Sequence, residues 1–162
     1  MRSFDQRTES GFAFLWVLAA VAMVGMLLAS GAEMVSIQQR RDRERELLSV
    51  GRQFRTALQQ YHDSVANGAA PQYPTSLDDL LLDGRGGGPV RRYLRKIYAD
   101  PITGSRDWGL VRVGGVIVGI YSKAESRPLK QRGFEGEEQG FNDAASYRAW
   151  VFSAQPPTLG QR

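Results

Sequence analysis

A chain of 162 residues and 18.0 kDa has room for one modest domain and is too short for two ordinary ones. With 42% hydrophobic and 23% charged residues it has the composition of a folding chain, and the absence of cysteine excludes disulfides, thiol catalysis and Cys-based zinc or iron–sulfur sites. A single histidine, His62, excludes multi-histidine metal sites, and the net charge of +4, carried by 18 Arg and 3 Lys against 17 acids, allows an anionic partner without requiring one.

From Phe12 to Ala32 the sequence runs for 21 residues without a charge and is closed by Glu33. As a helix this stretch would rise roughly 31 Å, about the thickness of a bilayer's hydrocarbon core. A buried core helix would need more apolar surface around it than so small a domain offers. A secretory signal would be shorter and followed by a small-residue cleavage site. The expectation is therefore a single membrane span over 12–32. Arg40, Arg41, Arg43 and Arg45 on its far side outnumber Arg2 and Arg7 before it, so counting Lys and Arg alone would put the C-terminal part in the cytoplasm.

The helical pattern continues beyond the span. Leu47, Val50, Phe54, Leu58, Tyr61 and Val65 recur every three or four residues and predict an apolar face, with Arg52, Gln53, Arg55, Gln59 and Gln60 opposite. Gln38 to Glu46 is almost wholly polar, with close opposite-sign pairs such as Asp42 with Arg45 and Arg40 with Glu44, which predicts a solvated stretch. Phe12 to about Val65 then reads as one helix, interrupted in propensity by Gly25, Gly31 and Gly51. Asn67-Gly68, Pro71 and Pro74 stop it. Thr75 with Asp78 reads as the cap of a short helix carrying Leu77, Leu80 and Leu81, and Gly84 to Pro89 reads as a loop without a phosphate-binding signature.

Trp108–Val113 and Val116–Tyr121 predict a hairpin turning at Gly114-Gly115, and Ser146–Phe152 a third strand. The intervening Lys123–Asp143 predicts a long polar loop. The fold class is α+β: a lollipop with a long N-terminal helix on a small antiparallel sheet. Its segments are 1–11, a leader; 12–32, the apolar helix; 33–66, its amphipathic continuation; 67–154, the globular domain; and 155–162, a polar tail.

The junction Ser10-Gly11-Phe12 before the apolar run resembles the type IV prepilin signal. Tyr73-Pro74-Thr75-Ser76-Leu77-Asp78-Asp79-Leu80-Leu81, then Tyr93-Leu94, then Asp100-Pro101-Ile102-Thr103-Gly104 and Trp108-Gly109 follow an order similar to that of the pseudopilins of type II secretion. Gly119 to Lys123 and Tyr147 to Phe152 resemble a pilin-like subgroup, so the likeness covers most of residues 10–152.

The resemblance implies cleavage between Gly11 and Phe12 by a prepilin peptidase and N-methylation of Phe12. It further implies a single-pass inner-membrane subunit, N-terminus cytoplasmic and globular domain periplasmic, that assembles into a short filament. Its partners would be other pseudopilin subunits, the inner-membrane assembly platform and membrane lipid. At the fifth mature position, where such proteins carry a glutamate thought to pair with a neighbour's terminal amine, this chain has Trp16. That departure implies a tip or initiating subunit, or a different assembly contact, with Trp16 and Gly25 as assembly residues.

No catalytic residue is expected: His62 stands beside Asp63 without a second base at motif spacing, and no nucleophile elbow or nucleotide fingerprint occurs. No cofactor is expected either. Glu135, Glu137, Glu138 and Asp143 could hold calcium, as a comparable loop does in the major pseudopilins, but the family's Asp-rich pattern is missing. Arg85, Arg91, Arg92, Arg95 and Lys96, interleaved with Tyr93 and Tyr98, carry the alternative function, a DNA-binding minor pilin of an uptake system. Nucleic acid is not the expected partner, because Tyr93, Leu94 and Ile97 read as turned inward.

Overall fold

The structure is a computed structural model that describes residues 9–64, 70–85 and 89–154; within the first helix, the side chains of 9–12 and 27–34 are outside the description. The leader before Glu9, the helix stop at Asn67-Gly68, the centre of the Gly84–Pro89 loop and the tail 155–162 thus lie outside the described residues. The chain is α+β, with helix α1 (Glu9–Asp63) and a three-stranded antiparallel sheet of β1 (Gly109–Val113), β2 (Val116–Tyr121) and β3 (Val151–Ser153), in the order β1-β2-β3. It divides into two compact units, Met1–Arg40 and Arg41–Arg162.

In the first unit, the membrane expectation is overturned. Among the described residues no helix is long and apolar enough to cross a membrane. A span needs about 20 consecutive apolar residues. The single-pass inner-membrane placement, with its cytoplasmic N-terminus and periplasmic domain, falls with it.

In the second unit, α1 buries the face its periodicity predicts: Leu47, Phe54 and Leu58 are fully buried, and Val50 and Tyr61 nearly so. Against these residues pack Trp108, Ile117, Ile120, Phe134, Phe141, Tyr147, Trp150 and Phe152. The ring of Phe141 stacks on Trp150 at 5.7 Å, and Phe134 meets both edge-on at 5.6 and 5.3 Å. Such offset and edge contacts add about 0.5–1.5 kcal/mol each to the burial itself.

The hairpin turns where the sequence places it. Gly114 and Gly115 adopt φ of 57° and 88°, the left-handed pair that a two-residue turn between twisted strands requires. A bulge between Val111 and Arg112 shifts the β1–β2 register. The third strand is shorter than predicted, because Tyr147–Ala149 forms a 3-10 turn and only Val151–Ser153 pairs, with Tyr121 to Gly119. The short helix Leu77–Leu80 is capped by Ser76 with Asp79, one residue later than the Thr75–Asp78 pair expected; Thr75 donates to the same Asp79 carboxylate. The long loop 123–143 is less polar in effect than in composition, because it sends Phe134 and Phe141 into the core.

Candidate functional site

The expected processing residues Gly11 and Phe12 lie in the first turn of α1, with side chains outside the described ones. The expected assembly residues are visible. Phe14, Leu15, Val17, Leu18, Val21, Met23 and Val24 are exposed to between 49% (Leu18) and 67% (Met23), and Trp16 to 65%. Successive helical residues are turned by about 100°, so Phe14 to Leu18 alone present apolar side chains all the way round the axis. Gly25 faces open space, where an added Cβ would meet nothing within 4 Å. This described part of α1 therefore presents a large apolar surface on every side of the helix.

Three polar anchors hold the second unit together, and sequence reasoning missed the main residues of two. Glu44, expected in a solvated stretch, is 4% exposed. Its carboxylate accepts from the backbone N–H of Leu129, from that of Lys130 at 3.2 Å and from the Tyr147 hydroxyl at 2.7 Å. Arg55, placed on the polar face, is 7% exposed and donates through Nη1 to Glu137 at 2.8 Å. One turn earlier, Arg52 grips Glu138 with two hydrogen bonds, Nε to Oε1 at 2.6 Å and Nη2 to Oε2 at 2.9 Å. The hydrogen bond to Glu138 raises the Arg52 guanidinium pKa further above its ordinary value, against the opposing effect of burial. A signal for Glu44 and Arg55 was present: both continue the buried spacing 44-47-48-51-54-55-58 along α1.

Ion pairs also take three of the four acids weighed as calcium ligands. Glu137 and Glu138 are taken by Arg55 and Arg52, and Asp143 lies 3.3 Å from Arg132. Among the described residues, no group of three metal-ligating side chains forms a cation site.

The third anchor joins the end of α1 to the loop after the short helix. Asp83 accepts three hydrogen bonds from Arg85, Nε to Oδ1 at 2.9 Å, Nη2 to Oδ2 at 2.8 Å and the backbone N–H to Oδ1 at 3.1 Å, and one from the Tyr93 hydroxyl at 2.9 Å. The hydrogen bonds from Arg85 outweigh the cost of burial and hold the Asp83 carboxyl down at about 2. The same guanidinium lies 3.5 Å over the Tyr61 ring and donates to the Tyr61 carbonyl at 2.8 Å, meeting one of the acceptors a helix leaves open at its end.

The basic cluster is thereby split. Arg85 is consumed by Asp83 and Tyr61. Tyr93 packs edge-on to Tyr61 at 5.5 Å, Leu94 is buried, and Ile97 and Tyr98 lean on the core. Arg91, Arg92, Arg95 and Lys96 remain exposed, but the aromatics between them are turned to the core and offer no platform for stacked bases.

Asp100, read from the sequence as a turn residue, is 1% exposed and closes that turn. It accepts from Ser122 Oγ at 2.6 Å, the Ile102 N–H at 2.9 Å and Thr103 Oγ1 at 3.1 Å, while Trp108 Nε1 donates to the Tyr98 carbonyl at 2.8 Å. His62 stacks on Tyr73 at 4.3 Å and meets Asp63 at 3.0 Å. Compared with known proteins, the chain matches no family model, no curated protein and no solved structure.

Proposed function

We propose that the chain is a structural subunit of a pilin-like filament, most similar to a type II secretion pseudopilin, with the pilin-like lollipop as its fold. The observation that carries this reading is the collar of exposed apolar side chains around α1 from Phe14 to Val24. Burying such a collar is worth roughly 25 cal/mol per Å² of apolar area. Equivalent helices of neighbouring subunits, packed side by side, are the cover the proposal assigns to it. The second unit contributes a domain stapled by Glu44, Arg52 and Arg55, with no constellation among the described residues that performs acid–base or nucleophilic chemistry.

The partners in this reading are other pseudopilin subunits and the prepilin peptidase that cuts between Gly11 and Phe12. In this reading Trp16, which supplies no carboxylate for a neighbour's terminal amine, fits a subunit at the tip or start of the filament or one that uses a different assembly contact. The test is mass spectrometry of the mature N-terminus in cells that hold the peptidase. A species beginning at methylated Phe12, absent for a Gly11→Leu variant, is expected. A chain that keeps Met1 to Gly11 there overturns the proposal.

A further inference from the structure

Beside β3 lies an open groove of about 700 Å³, lined wholly by residues of the second unit. Its walls include Phe141, Ala149, Val151 and Ala154, and Gln59 of α1 closes one side. β3 is one of the two edge strands of the sheet.

The register says which way its backbone faces. Ala154 donates its N–H to the Val118 carbonyl at 2.9 Å, making Val118 and Ala154 a hydrogen-bonded pair. Antiparallel pairs alternate, so Ile120 and Phe152 bond each other, whereas the N–H and C=O of Val151 point away from β2 and toward the open side. The neighbouring wall is also cut back. Gly140 lines the groove, and a Cβ added there would meet nothing within 4 Å, although its backbone does not have the positive φ that would demand glycine.

We infer that this groove takes an extended peptide segment of a partner protein as a fourth strand beside β3. The backbone of Val151 supplies ladder hydrogen bonds, and the apolar wall of Phe141, Ala149 and Ala154 receives alternate side chains. An outward-facing donor and acceptor beside a mainly apolar cleft, whose lining also carries Arg55 and Glu137, fits a peptide backbone, which carries both at strand spacing. A purely apolar ligand would leave both unmet. The inference is independent of the filament reading and stands or fails apart from it.

The probe is an acetylated, amidated heptapeptide of alternating valine and threonine, titrated into the full chain in neutral detergent and read by amide NMR. Shifts at Ala149 to Ala154 and slowed exchange of the Val151 amide are expected, with weak affinity on the order of 0.1–1 mM. The same peptide N-methylated at every second residue, which keeps the apolar contacts and loses ladder donors, is expected to bind at least about tenfold more weakly. Gly140→Trp fills the cleft from an unstrained position, and Val151→Pro removes the outward N–H at an edge where proline is tolerated. Both are expected to abolish the shifts while far-UV circular dichroism and the thermal midpoint stay those of the parent. No perturbation by the parent peptide, equal binding of the N-methylated peptide, or undiminished binding in whichever variant keeps its fold overturns the inference.

Discussion

The hydroxyl of Tyr147 donates to the carboxylate of Glu44 at 2.7 Å across 103 residues of chain, in a place where both are buried. That contact joins α1 to the turn before β3. The same carboxylate takes two backbone N–H groups of the long loop, so one side chain fixes three segments.

Removing it leaves three donors short of a partner. Glu44→Ala is expected to cost about 3 kcal/mol, since each buried unmet donor costs on the order of 1–3 and local relaxation recovers part. Tyr147→Phe deletes one bond and is expected to cost about 1 kcal/mol. Urea unfolding followed by near-UV circular dichroism gives both values. Hydrogen exchange at Leu129 should quicken in the Glu44 variant alone.

Two helical glycines separate by what stands above them. An added Cβ at Gly51 would come within 2.4 Å of the fully buried Phe152 ring, whereas at Gly25 it would meet nothing. Alanine gains about 1 kcal/mol of helix propensity at either site. At Gly51 overpacking of about 1–3 kcal/mol works against that gain, so Gly51→Ala is expected to lower stability by up to about 2 kcal/mol. Gly25→Ala is expected to leave the midpoint unchanged or raise it. Thermal melts of the two variants side by side decide this.

The helical face, the hairpin and the fold class were legible because each rests on a local rule: spacing of Leu47, Phe54 and Leu58, and the left-handed turn at Gly114-Gly115. Local reading failed where a distant partner overrides composition. Glu44 and Arg55 look solvated until Tyr147, Leu129 and Glu137, all more than 80 residues away, are folded onto them. The loop 123–143 looks polar until Phe134 and Phe141 turn in. The membrane span is overturned separately, because among the described residues no helix is long and apolar enough to cross. The collar at Phe14 to Val24 was legible as apolar, and the structure adds that these side chains are about half to two thirds exposed.

Acid should weaken the Asp83 anchor in a definite window. Its folded value of about 2 lies below the ordinary 3.8, so its stabilisation is fully present above pH 4 and is lost as pH falls through 2. The shift corresponds to about 1–2 kcal/mol once the exposure of Arg85 is allowed for. Asp83→Asn is expected to lose this amount at pH 7 and to converge on the parent near pH 2, as read from denaturation midpoints across pH. A constant difference at every pH would mean that hydrogen bonding at Asp83, rather than its charge, carries the anchor.

A charge placed in the collar separates assembly from folding. Val21 is 64% exposed, so Val21→Glu loses little contact in the single subunit and is expected to shift the melting of the second unit by less than about 0.5 kcal/mol. In a packed helical bundle the same carboxylate would be buried without a counter-charge, costing several kcal/mol per interface. Subunit association, followed by cross-linking or sedimentation of the mature chain, is therefore expected to collapse, with folding untouched. Val21→Leu, which keeps the surface apolar, should associate as the parent does. Equal association of the glutamate variant would show that the collar is not where subunits meet.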